Sequence, residues 1–327
     1  MIWSHGEVDV LARAVSRAPS VHNTQPWVLQ AERDAADLYE RFESWLPKHD
    51  PAGRDRVISC GAALANLDLA VRTLGWDAQT TLLPDPDRPD LVARVLADGR
   101  RRATAADVDL YSAIFRRRSY RAPFSLHRIG EHNLAMLAAS AAADGAEVRV
   151  VHGAAQATAL AELLGYAARV LRADHAYQRE LQAWSAQFRE PLPAVTTLPW
   201  SGLVRADSHL PDTVTLTERL LAEGLLVVFT PDDTRRDQLR AGTALQQVWL
   251  NAVNHGLAGS VLTQPLHLNE VRAGLIEHLD LPGHPQAILR LGYPVTATPP
   301  VPTVAGLSEK DGWWGATVNV GGAHDKR

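Results

Sequence analysis

Ala18-Pro-Ser-Val-His-Asn-Thr-Gln-Pro-Trp27 and Arg117-Arg-Ser-Tyr-Arg-Ala-Pro-Phe124 are the two stretches from which the fold is read. The first packs a hydroxyl, an imidazole and two side-chain amides between Pro19 and Pro26. Amides present paired donors and acceptors that suit a flavin or pyrimidine edge. The same groups suit a loop that caps neighbouring helices and turns. The second stretch sets Arg117, Arg118, Ser119 and Arg121 after an expected helix and before Pro123. Guanidinium forks, a hydroxyl and backbone N–H groups are what a phosphate monoester needs. A solvated charged turn is the other reading of this segment. The run Arg100-Arg101-Arg102 lacks the serine and the Pro-Phe stop, and reads as a solvated junction.

Working outward, Val8, Leu11, Ala12 and Val15 form one apolar helical face, and Pro19 ends that helix. Strands are expected at 27–31 and 37–42, a long helix at 54–74, and strands at 78–83 and 91–96. Residues 97–104 form a charged break between two halves. Helices are expected at 105–115, 131–142 and 154–172, with a strand at 147–152. Residues 173–211 have little pattern beyond a helical start, and a stretch of this length reads as a lid. Strand 225–230, helix 235–255, strand 260–262, helix 268–279 and strand 287–292 follow. At Gly256-Leu-Ala-Gly-Ser-Val-Leu-Thr-Gln-Pro265 a helix ends and a strand begins. Gly259 and Ser260 permit close backbone approach to a ligand, although an ordinary helix stop and turn also fits. The Pro-rich tail from Pro294 to Pro302 reads as an extended arm.

Composition narrows the classes. Of 327 residues 46% are hydrophobic and 21% charged, which suits a well-packed chain. Lys and Arg total 33 against 37 acidic residues, a net charge of -4, which argues against nucleic acid as a partner. The single Cys60 permits neither an internal disulfide nor a Cys-rich metal site, and no H-E-x-x-H occurs, so no metal is expected. There is no G-x-S-x-G, P-loop or G-x-G-x-x-G motif. No signal sequence is evident, and the most apolar run, Leu225 to Phe229, is too short to cross a bilayer. A cytoplasmic protein without a membrane segment is expected.

Together these segments resemble the nitroreductase superfamily, and within it the long Acg-like branch. Arg117 to Phe124 resembles its R-R-S-x-R-x-F phosphate motif, and Ala18 to Trp27 its A-P-S-x-x-N-x-Q-P-W motif. Asn251 to Gln264, with Pro285 to Pro294, resembles its core helix and closing G-Y-P strand. Ser59 to Asn66 echoes the Acg-like branch. The resemblance implies an α+β fold of two related halves, 1–103 and 104–327, each with a mainly antiparallel sheet packed by helices. It also implies FMN. Arg117, Ser119 and Arg121 would hold its phosphate and Ser20 and Asn23 would approach the ring, with Arg118 and Gln25 also among the cofactor-binding residues. Leu262, Thr263 and Gln264 would lie along the ring edge.

Motif order departs from ordinary nitroreductases, where the Arg motif comes first. Here the A-P-S motif lies in the first half and the Arg motif opens the second. The implied arrangement is an internal pseudo-dimer with one flavin site, hence a monomer. The family's arginines after the closing strand are missing, since that region reads Pro299 to Val304, and Arg290 or a lid residue is a candidate substitute. The implied function is an NAD(P)H oxidoreductase acting on nitroaromatic or quinone-like acceptors. The rival is an FMN storage protein with a lid-occluded site. No catalytic residue is named.

Overall fold

Side-chain caps fix where several of the helices begin. Ser4 opens α1 (His5–Ser16) with a reciprocal cap to Glu7. Thr104 does the same with Asp107 for α3 (Ala105–Arg116), and Thr234 with Asp237 for α8 (Arg235–Asn254). The structure, a computed structural model, describes residues 3–141, 145–185, 204–206 and 211–295. Most of the expected lid and nearly all of the Pro-rich arm fall outside these residues.

The first half contains β1 (Trp27–Glu32), β2 (Ala35–Glu40), α2 (Arg54–Thr73), β3 (Trp76–Leu82) and β4 (Leu91–Arg100). Its strands pair antiparallel in the order β1-β2-β4-β3. After α3 and α4 (Glu131–Ala139) come β5 (Glu147–Val150), α5 (Gly153–Ala173), α6 (His175–Ser185), α7 (Thr213–Ala222) and β6 (Gly224–Thr230). Then follow α8, β7 (Ala258–Leu262), α9 (Asn269–Leu279) and β8 (His284–Gly292). The second sheet runs β5-β6-β8-β7, also antiparallel. Without α5–α7 and α9, the second connectivity repeats the first: strand, strand, central helix, strand, strand.

The two central helices cross at glycine. A Cβ on Gly61 would lie 2.1 Å from the Leu239 carbonyl oxygen, and one on Gly242 would lie 2.0 Å from that of Ile58. Each glycine stands at the same place in its own helix. Gln246 Nε2 donates to Asn66 Oδ1 at 2.8 Å beside the crossing. The helix starts also correspond. Arg54 reaches the side chain and backbone oxygens of Gln286 in β8, while Arg235 reaches Glu40 of β2 at 2.7 Å. Each half is thereby clasped by the other.

The sheets differ in what covers them. β1 alternates buried and half-buried residues, and β3 is mostly exposed. β6 is buried at every position because α5, α7 and α9 pack a second apolar cluster against its sheet. A strand buried on both faces reads as a continuous apolar run, which is what Leu225 to Phe229 is.

Several boundaries differ from expectation. Residues 97–100, taken as part of the charged break, are the end of β4: Ala97 pairs with Ala78, and Arg100 pairs with Trp76 and stacks on its ring at 3.3 Å. α4 stops at Ala139 and β5 at Val150, both shorter than expected. α7 was not foreseen. It is capped by Asp212, and its Leu216 and Leu220 pack in the second cluster.

Candidate functional site

The loop after α1 is short and bent by its own polar groups. His22, Asn23 and Gln25 take positive φ of 47°, 54° and 46°, costly for residues with a Cβ. Ser20 Oγ accepts the Gln25 N–H at 3.0 Å, and Gln25 Nε2 donates to the Ser16 carbonyl at 3.0 Å. Val21 N–H donates to Ser59 Oγ at 3.3 Å, which ties the loop to α2. Three strained residues in one loop, held by such bonds, mark a place where geometry outweighs propensity.

The Arg segment docks beside this loop. Its Tyr120 N–H donates to the Gly259 carbonyl at 2.8 Å, and Ser119 bridges to Gly259 along β7. Arg117 stacks over Trp249 at 4.5 Å and donates through Nη2 to the Arg17 carbonyl at 3.0 Å. Burial pushes its pKa down to about 9, helped by Arg118 and Arg17. Arg118 donates to the Phe115 and Arg117 carbonyls. The Nε atoms of Arg117 and Arg118 are buried without a partner among the described residues. Arg121 is half-buried, burial lowers its pKa, and no hydrogen bond or ion pair reaches it among the described residues. Arg17, Arg117 and Arg118 thus crowd together without an anion among the described residues. Such a cluster is destabilised alone and is relieved by an anionic ligand.

At the base, Asp55 joins the two halves. Its Oδ2 accepts Thr263 Oγ1 at 2.5 Å, Gln264 Nε2 at 3.1 Å and His267 Nε2 at 3.1 Å, and its Oδ1 accepts Arg54 at 2.9 Å. Burial pushes its pKa up, but His267, Arg54 and Thr263 outweigh that and hold it below the usual carboxylate range. Asp50 accepts the Asp55 and Arg56 N–H groups, and burial beside Asp55 raises its pKa to about 6. Asp50, Asp55 and His267 lie within metal-binding reach of one another. Both oxygens of each carboxylate already face protein donors, so the trio reads as a hydrogen-bond network.

Above lies α6. Tyr177 stacks on His49 at 4.0 Å, and Trp184 lies parallel to His22 at 6.3 Å. His49 Nε2 donates to the Tyr177 carbonyl at 3.1 Å, because a carbonyl can only accept. Neutral His49 then offers Nδ1 as an acceptor, and His22 Nε2–H fills it at 2.5 Å. Glu180 completes the clasp by accepting the Lys48 and His49 N–H groups. Burial, with His49 next, lowers the His22 pKa to about 3.

The loop, the Arg segment, the start of α2 and the β7 end line a cavity of about 110 Å³. Of the expected site residues, Ser20, Ser119, Arg121, Thr263 and Gln264 line it. Asn23 is exposed, Gln25 faces α1, and Leu262 belongs to the second apolar cluster. Arg117 and Arg118 do not line the space; Arg117 lies over the lining residue Trp249. Sequence reasoning did not single out Asp55, Ser59 or Trp249 as lining residues, and took His22 only as part of its loop. Ser59 sat in the echoed segment Ser59 to Asn66, whereas nothing marked Asp55 among 37 acidic residues. Arg290 does not replace the missing arginines. It is fully buried and its Nε and Nη2 engage Glu223 at 2.7 and 2.6 Å, with Nη1 on Ser260 at 3.3 Å.

Comparison with known proteins gives consistent matches. The model of the Nitroreductase family matches residues 114–293. The chain is 34% identical over 312 residues to the Mycobacterium tuberculosis protein named "Putative NAD(P)H nitroreductase Rv3131", covering 90% of this chain and 87% of that one. It is 30% identical over 329 residues to "Putative NAD(P)H nitroreductase acg" of the same organism, covering 93% and 97%. Among solved structures, the FMN-dependent nitroreductase NfnB from Mycobacterium smegmatis, in complex with NADPH, aligns with a TM-score of 0.40 and 18% identity, covering 58% of this chain and 89% of that chain. A nitroreductase with bound FMN from Bacteroides fragilis aligns with a TM-score of 0.40 and 15% identity, covering 65% and 98%.

Proposed function

The chain belongs to the nitroreductase family, and from that premise we propose that it binds one FMN between its halves and uses NAD(P)H to reduce a nitroaromatic or quinone-like acceptor. One observation carries the reading. Ser20 of the first half meets Ser119, Arg121, Thr263 and Gln264 of the second around one cavity, beside a buried cation cluster that lacks an anion. That donor set fits a phosphate monoester on a polar ring. Arg121 and Ser119 would hold the phosphate, with Arg117 and Arg118 deepening the positive field. Ser20, Thr263 and Gln264 would face the ring. When bound, the flavin supplies the hydride chemistry.

The chain's own residues supply position and field. Asp55 holds Thr263 and Gln264 through three donors and so fixes the β7 end against α2. Trp249 Nε1 is buried without a partner among the described residues and lines the same space, a donor available to a ligand. The repeated connectivity supports an internal pseudo-dimer of residues 1–103 and 104–327, and with it a monomer that completes its site alone. No helix of the described residues is long and apolar enough to cross a membrane. A cytoplasmic location fits the single cysteine, Cys60, which is buried with its thiol pKa raised by burial.

A second reading, FMN storage, is favoured by the small size of the cavity, which is below the roughly 300 Å³ of ordinary ligand sites, and by α6, which engages the lining residue His22 through His49 and Tyr177. Anaerobic stopped-flow reduction separates the readings. An enzyme bleaches its flavin rapidly with NADH or NADPH. A storage protein bleaches with dithionite and scarcely at all with either nucleotide. Flavin content tests the site itself. One flavin per chain is expected, and Arg121→Ala weakens FMN binding by about 1.5–3 kcal/mol without unfolding the apoprotein. Two flavins per chain, or unchanged affinity in the variant, would overturn the assignment.

A further inference from the structure

A second cavity, about 420 Å³ in volume, lies along the same pair of helices, between α2, β3 and α8. Its lining repeats that of the first at a constant spacing. The crossing glycines, 61 and 242, are 181 residues apart. At that same spacing Asp55 and Ser59 of the first cavity correspond to Arg236 and Arg240 of the second. Ala62 corresponds to Thr243, Leu245 to Leu64 and Trp249 to Asp68. Val261 and Thr263 correspond to Thr80 and Leu82. Equivalent faces of the two helices, and the strand that follows each, therefore build both spaces.

The counterpart has different chemistry. Where the first cavity has an acid and a serine at the start of α2, the second has two arginines at the start of α8. Arg236 and Arg240 are one helical turn apart and share a face. Arg240 reaches Asp237 through Nη1 alone, at 3.4 Å, and among the described residues no hydrogen bond or ion pair reaches Arg236. The one acid in the lining, Asp68, is already engaged by Arg72 at 3.2 Å and by Thr80 at 3.4 Å. Leu64 and Leu82 give the lining an apolar part. The loop that would correspond to residues 18–27, residues 140–146 between α4 and β5, carries no side-chain amide, proline or histidine. The space thus has cationic and apolar sides but no ring-reading loop and no phosphate segment.

We propose that this cavity is a second ligand site, taking a small aromatic carboxylate with its carboxylate on Arg236 and Arg240 and its ring against Leu64 and Leu82. Its volume lies within the range of small-molecule sites, and an apolar wall with a few convergent polar groups is their usual make-up. Paired guanidinium groups suit a planar carboxylate.

The test is ligand-observed 19F NMR with 4-fluorobenzoate and the full chain loaded with flavin. Saturable binding is expected, weakened about tenfold in Arg236→Ala and in Arg240→Ala. The flavin absorbance spectrum should not move. Arg236 is exposed, so its removal leaves the fold intact, and melting curves verify this for both variants. Failure to saturate by about 10 mM, or equal affinity in both variants, overturns the site. A flavin spectrum that shifts in step with binding also overturns it, because the probe has then entered the first cavity. Displacement by inorganic phosphate at equal concentration reduces it to a bare anion patch and overturns the aromatic assignment.

Discussion

At the first turns of their central helices the two halves begin alike and then diverge. Arg54 and Arg235 occupy the same position and each crosses into the opposite half. One residue on, Asp55 is buried under four donors, while Arg236 is exposed. The contrast teaches that shared connectivity fixes where a cavity forms, and the side chains at that register decide what it can hold. The sheets make the same point. Helices on both faces turn β6 into an uninterrupted apolar strand, whereas its counterpart β2 carries Asp37, Tyr39 and Glu40 and keeps half-buried positions.

The largest effect expected sets Asp55 against its counterpart. Asp55→Ala leaves Arg54 and His267 facing each other without their shared anion, and should cost about 3–5 kcal/mol in chemical denaturation. Arg236→Ala should change stability by no more than about 0.5 kcal/mol. Similar losses from both would break the contrast. Next come the crossing glycines. Gly61→Ala and Gly242→Ala each drive a methyl group into a backbone carbonyl of the other helix, so each should cost about 1–3 kcal/mol or more, and by similar amounts. If one is tolerated and the other is not, the two helices do not meet symmetrically.

The smallest effect is local and depends on pH. The folded-state pKa of His22, about 3, is depressed below the ordinary value near 6.5. Folding therefore excludes its proton, and α6 docking is full above about pH 6.5 and is lost as pH falls from there towards 3. The slope is at most about 1.4 kcal/mol per pH unit for one histidine. His49, depressed by burial, acts in the same direction. Of the charges around His22, Asp55 opposes the shift and Arg121 adds to it. Asp50, raised to about 6, gains stability as pH falls through that value, so global unfolding partly conceals the effect. Hydrogen exchange of residues 175–185 reads it directly. Protection relative to the intrinsic exchange rate should fall between pH 7 and pH 5, and His22→Gln should flatten that dependence. Protection that is constant with pH in the unaltered chain would show that the imidazoles do not hold α6.

What the chain announces locally was legible. The capped helices, the alternating strands and the glycine and proline stops rest on interactions within a few residues, and the helices at 54–73 and 235–254 were readable almost to the residue. Ser20, Ser119 and Arg121 were legible as candidates because chemistry was concentrated in short, unusual runs. α7 was missed because Pro211 and a polar first turn hide two leucines that matter only once the second apolar cluster is assembled.

The sequence by itself determined the α+β class, the two stretches that meet at the site and the order in which they come. Only the tertiary structure decided that Asp55 and His22 belong with them, that Arg117 and Arg118 stay out of the lining, and that Arg290 is spent on Glu223. It alone revealed a second cavity in which arginines stand at the positions of Asp55 and Ser59. The reason is physical. Caps and periodicity act between near neighbours along the chain, whereas Asp55 gains its donors from residues 208 to 212 positions away, and no local pattern encodes a partner at that distance.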